Sequence, residues 1–124
     1  MVRMLAVIGT ILALTVGAAA SALGQSASTP TLKGTVGPGF TILLTKGGKK
    51  VRTLRAGIYT ISVRDRSASH NFTLERETKP KIEKHVTSTA FIGTKSMKVT
   101  LKKGEWKYYC SVHEAQMQGS FKVN

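Results

Sequence analysis

Short runs in which apolar and polar residues alternate fill most of the chain from Thr31 onward. T-L-K-G-T-V begins the pattern. F-T-I-L-L-T then puts Phe40, Ile42 and Leu44 in one phase, and I-Y-T-I-S-V does the same for Tyr59, Ile61 and Val63. In H-N-F-T-L-E-R-E the shared phase falls on His70, Phe72 and Leu74. In S-M-K-V-T-L-K, Met97, Val99 and Leu101 oppose Lys98, Thr100 and Lys102. W-K-Y-Y-C aligns Trp106, Tyr108 and Cys110, and G-S-F-K-V closes the chain. A period of two is the mark of a strand with one buried face. Between the runs stand G-P-G, K-G-G-K-K, D-R-S-A-S and K-G-E, which supply turn residues. Residues 77–94 are polar and unpatterned, and the sequence leaves a short helix, a loop or an edge strand open there. No window after the N-terminal segment keeps a 3.6-residue period. The pattern predicts an all-β fold: a Greek-key β-sandwich of seven or eight mainly antiparallel strands.

The N-terminus has a different texture. Arg3 precedes an uncharged apolar run from Met4 to about Val16, and small residues follow. That is the layout of a secretory signal peptide over residues 1–24, with cleavage fitting after Ala20, Ala22 or Gly24. The alternative is an uncleaved anchor, since Met4 to Leu23 is about the ~20 residues that span a bilayer. Residues 25–33 read as a flexible leader and residues 34–124 as one domain. Export to the periplasm, the extracellular space or the cell surface follows from the signal peptide.

Charge adds a preference for partners. Lys and Arg number 19 against 6 Asp and Glu, for a formal net charge of +13. Such a chain is drawn to anions: an acidic protein face, a lipid head-group surface or a cell-wall polymer. The bland alternative is that lysine-rich strand faces keep a β protein soluble. Nucleic acid is excluded by export and by the lack of any recognition motif. The expected state is a monomer.

The candidate chemistry sits in Y-Y-C-S-V-H-E-A-Q-M-Q-G, Tyr108 to Gly119. Cys110 is the only cysteine, so no internal disulfide can form, and a lone thiol in an oxidising compartment is reactive, intermolecular or metal-bound. It ends a strand with its thiol on the core side. His113 and Met117 follow on a loop that can fold back over the strand end. A thiolate, an imidazole and a thioether suit copper better than calcium, magnesium or manganese. A trigonal site needs a second imidazole. Of the remaining histidines, His70 follows a loop and shares its phase with Phe72 and Leu74, whereas His85 lies in the basic stretch K-I-E-K-H-V and reads as solvated. The set His70, Cys110 and His113, with Met117 as a weak axial ligand, has the composition of a blue-copper electron-transfer site.

At this point the chain resembles the cupredoxins, the plastocyanin- and azurin-like small blue-copper proteins. The resemblance rests on H-N-F at His70–Phe72 and Y-C-S-V-H-E-A-Q-M-Q-G at Tyr109–Gly119, and it runs from about Thr35 to Val123. It implies one type 1 copper ion and a role in carrying single electrons between redox partners. It also implies that Asn71 ties the two ligand loops together and donates near the sulfur. The edge of His113 would be the electron port, with Ala115 and Met117 helping to form an apolar docking patch for a partner with an acidic face. The chain departs from the family at one place. Three residues, Glu114 to Gln116, separate the loop histidine from the methionine, where several members have four. That touches only the axial position, which Gln116 and Gln118 flank.

Other functions use the same residues. A copper-binding module for storage, delivery or sensing needs the same ligands without redox turnover. A multicopper enzyme needs more histidines than the one left over, and a thiol hydrolase lacks an orienting acid beside Cys110 and His113. The reading is therefore a carrier and not an enzyme. Outside metal chemistry stands a basic exported β-domain that binds anionic surfaces.

Overall fold

Ten strands carry the alternation into three dimensions: β1 (Thr31–Val36), β2 (Ile42–Lys46), β3 (Lys49–Lys50), β4 (Thr53–Leu54), β5 (Gly57–Asp65), β6 (Thr73–Arg76), β7 (Ile82–His85), β8 (Gly93–Leu101), β9 (Gly104–Tyr109) and β10 (Gln118–Val123). The computed structural model describes Gly17, Gly24 and residues 26–124. The expected signal peptide or anchor otherwise lies outside the described residues, which contain no helix. Eight strands have four residues or more, the number the pattern predicts, while β3 and β4 have two each.

The strands form two five-stranded sheets, ordered β3-β2-β1-β5-β8 and β4-β10-β9-β6-β7. Most neighbours are antiparallel, but β1 runs parallel to β5 and β10 parallel to β4, so both sheets are mixed. Gly47 and Gly48 turn the β2–β3 hairpin with φ of 56° and 78°, the left-handed pair that a tight hairpin asks for. The upper end of the sandwich carries Val36, Asp65, Thr73, Tyr109 and Gln118. The lower end carries Thr31, Tyr59, Leu54 and Val123.

Inward positions of both sheets meet in one core. Leu32 and Val36 of β1, Tyr59, Ile61 and Val63 of β5, and Val99 and Leu101 of β8 face Trp106, Tyr108, Phe121 and Val123. The ring of Tyr108 stacks on Phe72 at 5.7 Å and an interplanar angle of 5°, and Trp106 stacks on Phe121 at 6.3 Å. Tyr108 covers Gly119 on the neighbouring strand, and any side chain at Gly119 would overlap that ring.

Several expectations need correcting. The first strand starts at Thr31, inside the segment expected to be a leader, because Leu32 is fully buried and Thr60 donates to the Pro30 carbonyl. Of the alternatives left open for residues 77–94, the edge strand is present: β7 pairs with β6 at the rim of the second sheet. Its residues Glu83, Lys84 and His85 are all exposed, so an edge strand here leaves no alternating signal. His85 therefore lies in a strand and not in a loop. Phe40 precedes β2 and is 59% exposed, so it does not share the core with Leu44. Asp65, expected in a loop, is the buried last residue of β5.

Gly119→Ala is expected to lower stability by about 1–3 kcal/mol, the usual cost of an overpacked core. A urea midpoint equal to that of the parent chain would show that the Tyr108 ring moves aside freely.

Candidate metal centre

The loop after β9 folds tightly on itself. The Cys110 N–H donates to the Met117 carbonyl at 3.0 Å and the Met117 N–H to the His113 carbonyl at 2.9 Å. The His113 N–H donates to the Cys110 carbonyl at 3.2 Å. These bonds close residues 110–117 into a compact cap at the mouth of the β9–β10 pair, and they bring His113 back over Cys110. His70 arrives from the other side, just before β6, the strand that pairs with β9.

Three donor atoms then converge at the upper end. The Nδ1 atoms of His70 and His113 lie 2.9 Å apart, and each is 3.8 Å from the Cys110 Sγ. His70 and Cys110 are buried and His113 is half-buried. Among the described residues this is the group of three ligand-type side chains that closes to metal-binding distance. The triangle fits an ion: a point in its plane about 2.0 Å from both nitrogens falls about 2.1 Å from the sulfur, close to ordinary metal–imidazole and metal–thiolate lengths. Two imidazoles and one thiolate in a plane suit a soft or borderline ion that accepts three strong ligands. A structural zinc site would require a fourth.

Asn71 joins the two halves of the site. Its carboxamide oxygen accepts the Ser111 N–H at 2.9 Å. Its nitrogen donates to the Ser111 hydroxyl at 2.7 Å and to the Thr89 hydroxyl at 3.0 Å. Its own backbone N–H points at the Cys110 sulfur at 3.4 Å. The neighbouring residue is pinned as well. The Phe72 N–H donates to the Thr87 hydroxyl at 2.9 Å, and that hydroxyl donates to the buried Asp65 carboxylate at 2.7 Å. The sequence reading did not find Asp65, Thr87, Thr89 or Ser111. The D-R-S turn signal at Asp65 was there to be read, since Ser67 N–H caps that carboxylate at 3.1 Å.

Phe40 is the other residue that sequence reasoning missed. Its ring lies 5.3 Å from the ring of His70 and meets His113 edge-on at 5.0 Å. It forms an exposed apolar lid over both imidazoles, with Val112, 55% exposed, beside His113 in the chain. Ala115 is also exposed. Met117 is not part of this surface, because it is fully buried under the loop. His85 stands apart, with its Nε2 2.8 Å from Glu83 and its Nδ1 3.1 Å from the Thr73 hydroxyl.

A charge network braces the loop from outside. Lys107 on β9 reaches Glu114 of the loop at 2.6 Å and Glu77 at 3.1 Å, and Glu114 above all holds its ammonium well above the usual lysine range. On the same face Glu75 accepts the Tyr109 hydroxyl at 3.0 Å and the Lys81 ammonium at 3.3 Å. Burial pushes the Glu75 carboxyl upward, but the Tyr109 hydroxyl and the two lysines outweigh it, so the net shift is down. Burial and the same carboxylate push Tyr109 up.

No family model and no curated protein matches the sequence. Solved structures do resemble the chain. Rusticyanin, described as a copper protein, is 16% identical with a TM-score of 0.58, covering 80% of each chain. Rusticyanin from Thiobacillus ferrooxidans is 19% identical with a TM-score of 0.52, covering 80% of this chain and 79% of that one. Auracyanin A, a "blue" copper protein from the green thermophilic photosynthetic bacterium Chloroflexus aurantiacus, is 21% identical with a TM-score of 0.53, covering 78% of this chain and 100% of that one. At these identities the likeness is one of fold, and the fold is that of the cupredoxins.

Two outcomes follow from this bonding. The lowered carboxyl of Glu75 contributes stability that is full above its ordinary value of 4.5 and is lost as pH falls through its lowered folded-state value. The melting temperature should therefore drop as pH falls from 4.5 through that lowered value, and drop less in Glu75→Gln. Asn71→Ala leaves the Ser111 N–H without its partner and should cost about 1–3 kcal/mol by urea denaturation even without metal.

Proposed function

We propose that this chain is an exported type 1 copper protein that carries single electrons between redox partners. The observation that carries the reading is the convergence of the His70 and His113 Nδ1 atoms on the Cys110 sulfur in a triangle of ion-binding size. His70, Cys110 and His113 would hold the ion. Met117, buried in the same loop, would be a further, weak ligand. A copper ion held there would supply one-electron chemistry by cycling between its two oxidation states.

The chain's own residues account for why such a site would work. Asn71 fixes the separation of the two ligand segments, so the donors keep one geometry whichever charge the ion has. Its backbone N–H faces the sulfur, where it offsets the charge of a thiolate. Phe40 and the fully buried Met117 keep water away from the donors. His113 alone of the three ligands reaches the surface, which makes its ring edge the port for electrons. Phe40, Val112 and Ala115 around it supply an apolar docking patch, and the net charge of +13 favours a partner with an acidic face. Export rests on the N-terminal sequence. The reading is of a carrier and not a catalyst, with residues 34–124 as the copper-binding domain.

One equivalent of Cu(II) should give an intense blue absorption band that bleaches with ascorbate and returns on reoxidation. A colourless complex would remove Cys110 from the ligand set and with it the proposal. A band that forms but cannot be cycled would point to copper storage or delivery. Cys110→Ser should abolish the band, and Asn71→Ala should keep the colour while weakening metal affinity by about 10–100-fold.

A further inference from the structure

The lower end of the sandwich, opposite the metal centre, has a cleft of about 620 Å³. Its lining includes Lys46, Lys49, Lys50, Arg52 and Arg55 together with Tyr59, and no acidic residue. None of these five cations forms an ion pair among the described residues. The β2–β3 hairpin sets Lys46 directly opposite Lys49, a like-charge pair that destabilises a sheet. None of the five glutamates lines this cleft: they lie on β6, β7 and β9, just after β6, and in the loop after β9, with Glu105 the one at this end, opposite Lys122. The first sheet carries one acid, the buried Asp65. A cluster of unpaired like charges kept at one end is a site that an anion would relieve.

Two features indicate which anion. The chain enters the domain at this end, since Thr31 pairs with Thr60 beside the cleft-lining Tyr59. Ile58, one residue from Tyr59, holds an apolar side chain 56% exposed at the same end. Basic residues without acidic partners and an exposed aliphatic side chain beside them together suit a lipid surface with anionic head groups.

We propose that the lower end of the sandwich docks on the phosphate head groups of an anionic bilayer, which turns the metal centre away from the membrane. Gln118 beside the centre and Asn124 in the cleft are six strand residues apart, roughly 20 Å. The inference adds an orientation to the proposed function and does not depend on which metal binds, so vesicle binding and the copper band fail independently.

The test is co-sedimentation of the full chain, at physiological salt, with vesicles of phosphatidylcholine alone or with about a third phosphatidylglycerol, where the anionic vesicles should be preferred by at least about tenfold. K49E with K50E and R52E should abolish that preference. K33E with R64E and K98E, on the outer face of the first sheet, should keep it. Circular dichroism melts check folding, and the glutamine versions of the first set serve if the glutamates prevent it. Equal binding to both vesicle types overturns the proposal. Equal loss in both triple variants also overturns it, since net charge and not the cleft would then be responsible. So does a chain that inorganic polyphosphate strips from the vesicles at equimolar phosphate.

Discussion

The upper end of this molecule depends on one carboxamide. Asn71 stands between two segments that share no covalent constraint, the approach to β6 and the exit from β9. Its side chain makes two hydrogen bonds across that gap, both to Ser111, and a third to Thr89 between β7 and β8. A buried amide that is fully paired is rigid, whereas one left half-paired is costly. The bonds fix His70 relative to Cys110 before any ion arrives. The Asp65–Thr87–Phe72 relay does the same from the other sheet, using a buried carboxylate with two donors. The donor triangle is thus held by hydrogen bonds around it.

The sequence made the sandwich legible wherever one strand face is dry. Tyr59, Ile61 and Val63, or Trp106 and Tyr108, alternate because the two sheets bury only every second side chain. The site was legible for a related reason: Cys110 shares the phase of a core strand, and His113 and Met117 follow at a spacing that one short loop can fold back. Legibility failed where burial does not follow a period of two. Strand β7 packs on the core only through Ile82 and is otherwise exposed and charged. The lid residue Phe40 keeps the phase of Leu44 but sits before the strand, at the open end. The parallel pairings of β1 with β5 and β4 with β10 are long-range, and no local pattern encodes them. Met117 was expected to do two things, bind axially and help form a docking surface, but complete burial leaves no surface to offer.

Composition concealed a further division. A net charge of +13 suggests an evenly basic particle. In the fold the glutamates gather on the second sheet, where Glu75, Glu77, Glu83 and Glu114 each meet a lysine or histidine. The first sheet and the lower end keep cations without such partners. The molecule is therefore electrically lopsided, with its neutralised side bracing the ligand loop through Lys107 and Glu114.

The rims of the two sheets carry a consequence for crowding. A sandwich has four open rims, each a row of unpaired backbone groups that a second copy could extend. Here two rims are strands of only two residues, β3 and β4. A third, β7, presents Glu83, Lys84 and His85, and the fourth, β8, presents Lys95 and Lys98. Two copies brought together by β8 would set lysines against lysines, and two brought by β3 would do the same with Lys49 and Lys50. A protein built this way can be concentrated on a surface or in a narrow compartment without its sheets growing into one another.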